Sequence, residues 1–492
     1  MVEALRPCPD GRPAQMSVTL FDFQHKPPHL ETAFELVHRH LAHQDRVTYR
    51  FLGHDVPNRT FMAPLTGSVL FGPALPERRA AQLTRGPGFT FVPRTRLQLP
   101  RLPFGLPESL DELMSLRYGA FDIGMAVASS LITLTGDSRL DPTRHRNAVR
   151  STLQGALAAF DHVTELVRDN RPDLVYVFNG RFAYERAVMR ACQAQSVPVL
   201  IHERGSTQER FFLAPFTPHD RKRVQAEMRR RWEAVRHDAV EVEQAVAWFR
   251  ARRDGVPRDW PSFTSGQARS YLPSLEPGKR LIAYFSSSDD EYVAIGDDFR
   301  WEGWQGQLDA VRALVRVVRE VPDAQLVIRV HPHLTTKHVT ERGRWMALAS
   351  DDASVSVIAP ESEVDTYALI DAAEVVVTSG STVGMEAVYW GRPSVLLGPS
   401  DYDLLDAVHL ARDEAALRTL LADGSLGADP AAALAYGCYR ATYGEPFQVY
   451  EPSEFSHGRF AGVRLRPTLW RTLATFRNRA LERYRWLGPR GR

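Results

Sequence analysis

The chain has 492 residues, 44% of them hydrophobic and 24% charged, which excludes collagen-like, disordered and disulfide-scaffold classes and suggests more than one hydrophobic core. Sixty-one basic residues against 59 acidic ones leave a formal charge of +2, too balanced for a chain that wraps nucleic acid along its length. All but four of the basic residues (Lys26, Lys222, Lys279, Lys337) are Arg. The three cysteines, Cys8, Cys192 and Cys438, have no CxxC spacing and argue for a reducing compartment without a zinc site. No signal peptide is read in the first residues and no run of 18 apolar residues occurs, so a cytosolic protein is expected.

In chain order, 17–24 reads as a strand, 29–43 as a helix and 47–56 as a second strand. The stretch 57–107, rich in Pro, Gly and Arg, gives no clear element. Helical patterns follow at 110–134 and 144–169. Then comes a β-turn-α-β unit. DLVYVF (173–178) is a continuous apolar run of the kind buried in a parallel sheet, Asn179-Gly180-Arg181 is a turn, 182–194 is a helix and VPVLIH (197–202) is a second strand. Glu203 and Arg204 close that second strand. A charge-laced helical region covers 218–253, and the Pro, Gly and Ser of 254–278 mark a domain boundary. Beyond it, strands at 281–285, 325–330, 355–358, 374–378 and 394–397 alternate with helices near 304–320, 336–348, 364–372 and 382–390. That alternation means a parallel α/β sheet.

Ligands of such sheets bind at the carboxyl ends of the strands. The residues there are Ser286-Ser287-Ser288-Asp289-Asp290, His331-Pro332-His333, Pro360-Glu361-Ser362-Glu363, Ser379-Gly380-Ser381-Thr382 and Gly398-Pro399-Ser400. Ser379-Gly380-Ser381-Thr382-Val383-Gly384 opens a helix, whose free N–H groups and dipole attract an anion, although the pattern is neither a P-loop nor GxGxxG and an ordinary cap would read alike. His331, held at a strand end by Pro332, can donate to a phosphate, or can be a structural histidine. Glu386 in the first turn of the helix can hold ribose hydroxyls or support the cap. His331 and His333 lack a third ligand, and the neighbouring Asp289 and Asp290 are expected to point apart, so no metal site is expected.

The His-Pro strand end, the Ser-x-Ser-x-x-Gly-x-Glu-Ala helix start and the later Gly-Arg-Pro (391–393) resemble the GT-B glycosyltransferases, most of all the capsule polysaccharide biosynthesis family. FNGR…HERGS (178–206) is also similar to the N-terminal half of that family's transferases. The motif pair resembles sialyl, Kdo and polyol-phosphate transferases as well, which take CMP- or CDP-linked donors. The resemblance implies an α/β fold of two Rossmann-like domains facing across a cleft. An acceptor domain spans 1–260, a nucleotide-sugar domain 279–450, and 451–492 supplies helices that cross back. It implies donor contacts from Ser286, Ser287, His331, Pro332, Ser379, Gly380, Ser381 and Thr382, and a base-reading carboxylate at Glu361 or Glu363. Here Gly380 splits the serines, so UDP or GDP stays open beside CMP. The acceptor would meet Asn179, Arg181 and Arg204, and its hydroxyl would lose a proton to Glu203, Asp289 or Asp290. The expected partners are a nucleotide-sugar donor and a glycan or lipid-linked acceptor, with no cofactor and no nucleic acid. A sugar-nucleotide epimerase and a non-catalytic binding subunit are the alternatives.

Residues 461–492 hold nine Arg and one acid, with Leu469, Leu473, Phe476, Ala480, Tyr484 and Leu487 at helical spacing. That basic amphipathic pattern suits either a helix crossing back in the fold or contact of 465–492 with the anionic inner face of a membrane.

Overall fold

The computed structural model describes residues 15–23, 28–53, 55–57, 75–257, 264, 266–337, 339–349, 354–422, 424–454 and 457–465. Two separate parallel sheets organise them. The first is formed by β1 (Ser17–Asp22), β2 (Arg46–Phe51), β3 (Phe89–Val92), β4 (Leu174–Phe178), β5 (Val199–Arg204) and β6 (Arg210–Ala214). The second is formed by β7 (Arg280–Phe285), β8 (Ala324–Arg329), β9 (Val355–Ile358), β10 (Val375–Thr378), β11 (Ser394–Leu396) and β12 (His409–Leu410). Three short strands follow: β13 (Glu445–Pro446), β14 (Tyr450–Glu454) and β15 (His457–Phe460).

The first sheet runs in the order β13-β6-β5-β4-β1-β2-β3, parallel except where β6 turns back on β5 and β13 pairs with β6. The second runs β12-β11-β10-β7-β8-β9, parallel throughout. Parallel strands need helical crossovers, and helices cover both faces of each sheet. Helices Ile123–Thr135, Arg146–Asn170 and Ala183–Ala194 bury one face of the first sheet, and helix His29–Ala42 lies on the other. In the second, helix Gln307–Glu320 packs Leu308, Val311, Leu314 and Val318 against Ile282, Leu326 and Ile328. The fold is two α/β units, each built on a mainly parallel sheet, as the sequence suggested.

Three placements differ from the sequence reading. Its 110–134 helix is two helices, Leu110–Ser115 and Ile123–Thr135, parted by a bridge between Tyr118 and Phe121. Its 218–253 helix is also two, because Asp238 accepts from the N–H groups of Val240 and Glu241 and starts a new helix. Both of these later helices pack on the second unit. Val224, Met228, Trp248 and Phe249 join Met385, Val388, Tyr402 and Tyr436 in one core, so 221–253 sit with the second sheet despite preceding the 254–278 stretch. The apolar stripe decides this, since the rest of both helices is charged.

The chain then returns. Helix Leu434–Thr442 packs on the two helices of 221–253, β13 joins the first sheet, and the β14–β15 hairpin buries Tyr450 and Phe460 beside Phe34 and Tyr49. Residues 450–454 and 457–460 are thus paired strands where helices were expected. The expected basic helix lies outside the described residues. Among the described residues no helix is long and apolar enough to cross a membrane.

The two units also meet at a contact next to the strand ends. Ser138 donates from both N and Oγ to Glu341 Oε1, at 2.9 and 2.6 Å. Arg344 bridges Glu341 and Asp137. The loop after β7 reaches across, burying Ala294 in the first unit's core and accepting at Ile295 O from Arg186.

Candidate functional site

The order β10-β7-β8 brings three of the predicted polar strand ends side by side. The loop after β7 lies between His331 at the end of β8 and the 379–384 loop at the end of β10. Ser286 Oγ accepts from His331 N at 2.8 Å, which ties the first two together. Pro332 starts a 3-10 turn, and His331 Nδ1 accepts from His333 N at 3.1 Å. A ring whose Nδ1 accepts carries its neutral-form proton on Nε2, so Nε2 is the donor.

Gly380 takes φ +116, a conformation in which a side chain is strained, and a Cβ there would stand 3.1 Å from Pro399 O. Tyr292 and Tyr402 hydroxyls donate to the carbonyls of Gly380 and Ser381, at 3.1 and 2.6 Å. With those carbonyls held from behind, the helix Val383–Tyr389 begins on a braced turn. Ser381 and Thr382 are half-buried at the mouth.

Other expected donor contacts have different work. Ser379 is 3% exposed, and its Oγ bonds Tyr284 Oη at 2.8 Å. Tyr284 gives its proton to Gln307 Oε1, so Ser379 must donate to Tyr284, leaving no hydroxyl proton for a phosphate. Glu386 was expected to hold ribose hydroxyls. It is 1% exposed, and its oxygens are taken by Thr382 Oγ1, Tyr367 Oη and Arg252, which makes it a brace between 221–253 and the 379–384 loop. Glu361 is exposed and paired with Arg342, and Glu363 is exposed while its carbonyl accepts from Ala268 N. Ser287 has its N–H on Gln307 Oε1 at 2.7 Å.

The two acids after β7 separate chemically. Asp290 accepts from Lys337 Nζ at 2.5 Å and Ser288 Oγ at 2.6 Å, and the lysine and serine hold its carboxyl below the usual range although burial opposes them. It is an ionised structural partner. Asp289 is pushed up to about 7, chiefly by burial and then by Glu341, with Asp290 adding to it; Gln307 and Arg139 oppose the rise. Helix Ile123–Thr135 of the first unit abuts this turn, so Asp289 lies where the two units meet.

The first unit presents its own strand-end group. Asn179 and Gly180 take φ of 55 and 77, as the Asn-Gly turn required, and a Cβ on Gly180 would come within 2.9 Å of Thr217. Asn179 Nδ2 donates to Glu203 Oε2 at 2.6 Å, and Arg204 N donates to Oε1 at 2.9 Å. The His29 ring lies 3.7 Å from the same carboxylate. Arg181, expected to meet an acceptor, is 8% exposed with its guanidinium on Thr133 and over the Phe182 ring. Glu185, not singled out from sequence, is pushed up to about 8 by burial, with Asp22 and Glu203 adding to it.

Tyr284, Gln307, Lys337 and Glu185 escaped the sequence reading. None sits in a motif, and each matters only through a fold contact; the one available signal was the hydrophilic Gln307 opening an apolar-faced helix. A cavity of about 370 Å³ lined by Thr207, Gln208, Glu209, Ala251, Val256 and Pro257 lies between the β5–β6 turn and the end of helix Ala239–Arg253, off the strand-end site.

No curated protein matches this chain. Among solved structures it is similar to Thermosulfurimonas dismutans KpsC, beta Kdo 2,4 transferase, at 15% identity over 55% of this chain and 79% of that one, with a TM-score of 0.35. It is similar to UDP-GlcNAc 2-epimerase from Neisseria meningitidis at 11% identity over 86% and 97% of the two chains, with a TM-score of 0.28. The glycosyltransferase SnogD from Streptomyces nogalater shares 14% identity over 88% and 97%, with a TM-score of 0.23. At these values the likenesses say nothing about activity. Residues 281–416 match the family model for capsule polysaccharide biosynthesis protein. That stretch carries β7 to β12 with His331, Asp289 and the 379–384 loop.

Proposed function

We propose that the chain is a glycosyltransferase of surface-polysaccharide synthesis, which moves a sugar from a nucleotide-linked donor, CMP-linked by preference, to a glycan or lipid-linked acceptor. One observation carries the reading: the ends of β10, β7 and β8 stand together, with His331 at the end of β8 and a braced helix start at the end of β10, in the segment that matches the family. Departure of a sugar from phosphate builds negative charge on the phosphate and positive charge on the sugar. The backbone amides of Ser381 and Thr382, the Ser381 hydroxyl and His331 Nε2 would take up that negative charge. These groups belong to the protein itself, so the step as proposed routes nothing through a metal.

The acceptor hydroxyl must lose a proton. Asp289 suits the base, since a carboxyl near 7 at the meeting of the units is half-ionised at neutral pH. It is half-buried at that meeting, beside helix Ile123–Thr135. Glu203, already accepting from Asn179 and Arg204, suits an acceptor anchor. The basic 465–492 segment would hold the enzyme near an anionic membrane bearing a lipid-linked acceptor.

A thermal-shift screen with CMP, CDP, UDP and GDP tests the reading. A ligand at 100 times its Kd stabilises the native state by about 2.7 kcal/mol, so one nucleotide should raise the melting point by a few degrees. No response to any of the four contradicts it. Flotation on anionic liposomes, with and without residues 466–492, tests the membrane part: loss on truncation is expected, and equal flotation contradicts it.

A further inference from the structure

We infer that Gln307 is a positioning residue that couples the carboxyl of Asp289 to the hydroxyl of Ser379 through Tyr284. The inference rests on the 379–384 loop being the phosphate site.

A glutamine opening a helix ordinarily faces water, but Gln307 is 2% exposed. A buried amide needs partners, and this one has all it can take. Its Oε1 accepts from Tyr284 Oη at 2.9 Å and Ser287 N at 2.7 Å. Its Nε2 donates to Ser287 O at 3.2 Å and to Asp289 Oδ1. Only one orientation works. Turned over, the NH2 would face the Ser287 N–H, and the oxygen would face the Ser287 carbonyl and a carboxylate.

The direction of every bond follows. Ser379 donates to Tyr284, Tyr284 donates to Gln307, and the far side of the same amide donates to Asp289. Bonds in such a chain polarise one another. When Asp289 ionises it draws on the amide N–H, the amide oxygen becomes a better acceptor, and Tyr284 and Ser379 are held more firmly. The state of the carboxyl at the meeting of the units is therefore felt at the first residue of the phosphate loop. The other groups bearing on Asp289 are Glu341 from helix Val339–Met346, Asp290 beside it, and Arg139 from the first unit. None of these touches Tyr284 or Ser379 through a hydrogen bond in the structure described, so Gln307 is the link.

The test compares wild type with Gln307→Leu, using as donor a sugar linked to whichever of CMP, CDP, UDP or GDP stabilises the wild type. Turnover is read as release of free nucleotide between pH 5.5 and 9. The donated N–H favours the ionised carboxyl, so its loss moves the acid limb of the rate profile to higher pH, by about one unit for one charge-assisted hydrogen bond. At pH 7 kcat should fall about fivefold and KM change less than about threefold. A profile whose acid limb stays in place, with kcat and KM worsening together, makes Gln307 a packing residue and overturns the coupling. If Gln307→Leu does not fold, Tyr284→Phe keeps the ring and the Gln307–Asp289 bond while cutting the chain to Ser379. It should move the limb in the same direction by a smaller amount, and an unmoved limb again overturns the coupling. A wild type that binds no nucleotide removes the phosphate-site reading itself; a wild type that turns over with variants of unchanged profile removes the coupling alone.

Discussion

Replacing His331 by Ala should lower donor turnover about 10²- to 10³-fold while leaving the fold and the melting point nearly unchanged, as expected for loss of one aligned donor to the leaving oxyanion. The local geometry separates the two effects. The link between the loops after β7 and β8 runs from the backbone N of residue 331 to Ser286 Oγ, and an alanine keeps that N–H. What is lost is the ring, whose Nδ1 takes the His333 N–H and whose Nε2 carries the neutral-form proton. His331→Gln, which can still donate, should recover part of the rate. Equal turnover in wild type and His331→Ala, at saturating donor, would remove the ring from the phosphate site. Ser379→Ala and Ser381→Ala sharpen the point: the second should weaken nucleotide binding more than the first, since the Ser379 proton is committed to Tyr284.

Glu35→Ala should be the most damaging single change away from the site. Glu35 lies on helix His29–Ala42 and is fully buried. Its carboxylate accepts from the backbone N–H groups of Gln448, Val449 and Tyr450 at 2.8, 2.9 and 3.1 Å, and from Arg39 Nε at 3.3 Å. Arg39 in turn holds Glu445 and the Pro446 carbonyl. This is where the returning chain is fastened to the first unit. Alanine would leave three backbone donors without their acceptor, that of Tyr450 buried and those of Gln448 and Val449 part-buried, and an unsatisfied buried group costs about 1–3 kcal/mol. Water reaching the edge strand lessens the sum, so a loss of about 3 kcal/mol is expected, equivalent to roughly a hundredfold faster hydrogen exchange. The exchange should rise in 445–460 and not in β7, β8 or β9. Unchanged protection in 445–460 would show that the hairpin's apolar contacts suffice.

What the sequence disclosed follows from where the physics is local. Buried parallel strands such as LVYVF and QLVIR write themselves as apolar runs, and the polar residues behind them mark the carboxyl edge on which the site stands. The Asn179-Gly180 turn and the Gly380 turn were legible because positive φ selects small or Asx residues. Long-range pairings were not. Glu386 reads as a helix-start acid until Arg252 and Tyr367 arrive from 134 and 19 residues away. The helices of 221–253 read as first-half elements because charge dominates them, and four apolar side chains place them on the second unit. β3, in a Pro- and Arg-rich stretch, and the two-residue strands β12 and β13 exist only through the sheets they join.

The central claim is that a donor phosphate rests at the start of helix Val383–Tyr389 against His331. A crystal structure of the chain with the nucleotide selected in the thermal screen tests it most directly. The account predicts phosphate oxygens within about 3 Å of His331 Nε2, of Ser381 Oγ and of the backbone N–H groups of Ser381 and Thr382. A nucleotide seated elsewhere, with His331 and Ser381 making no contact to it, would contradict it.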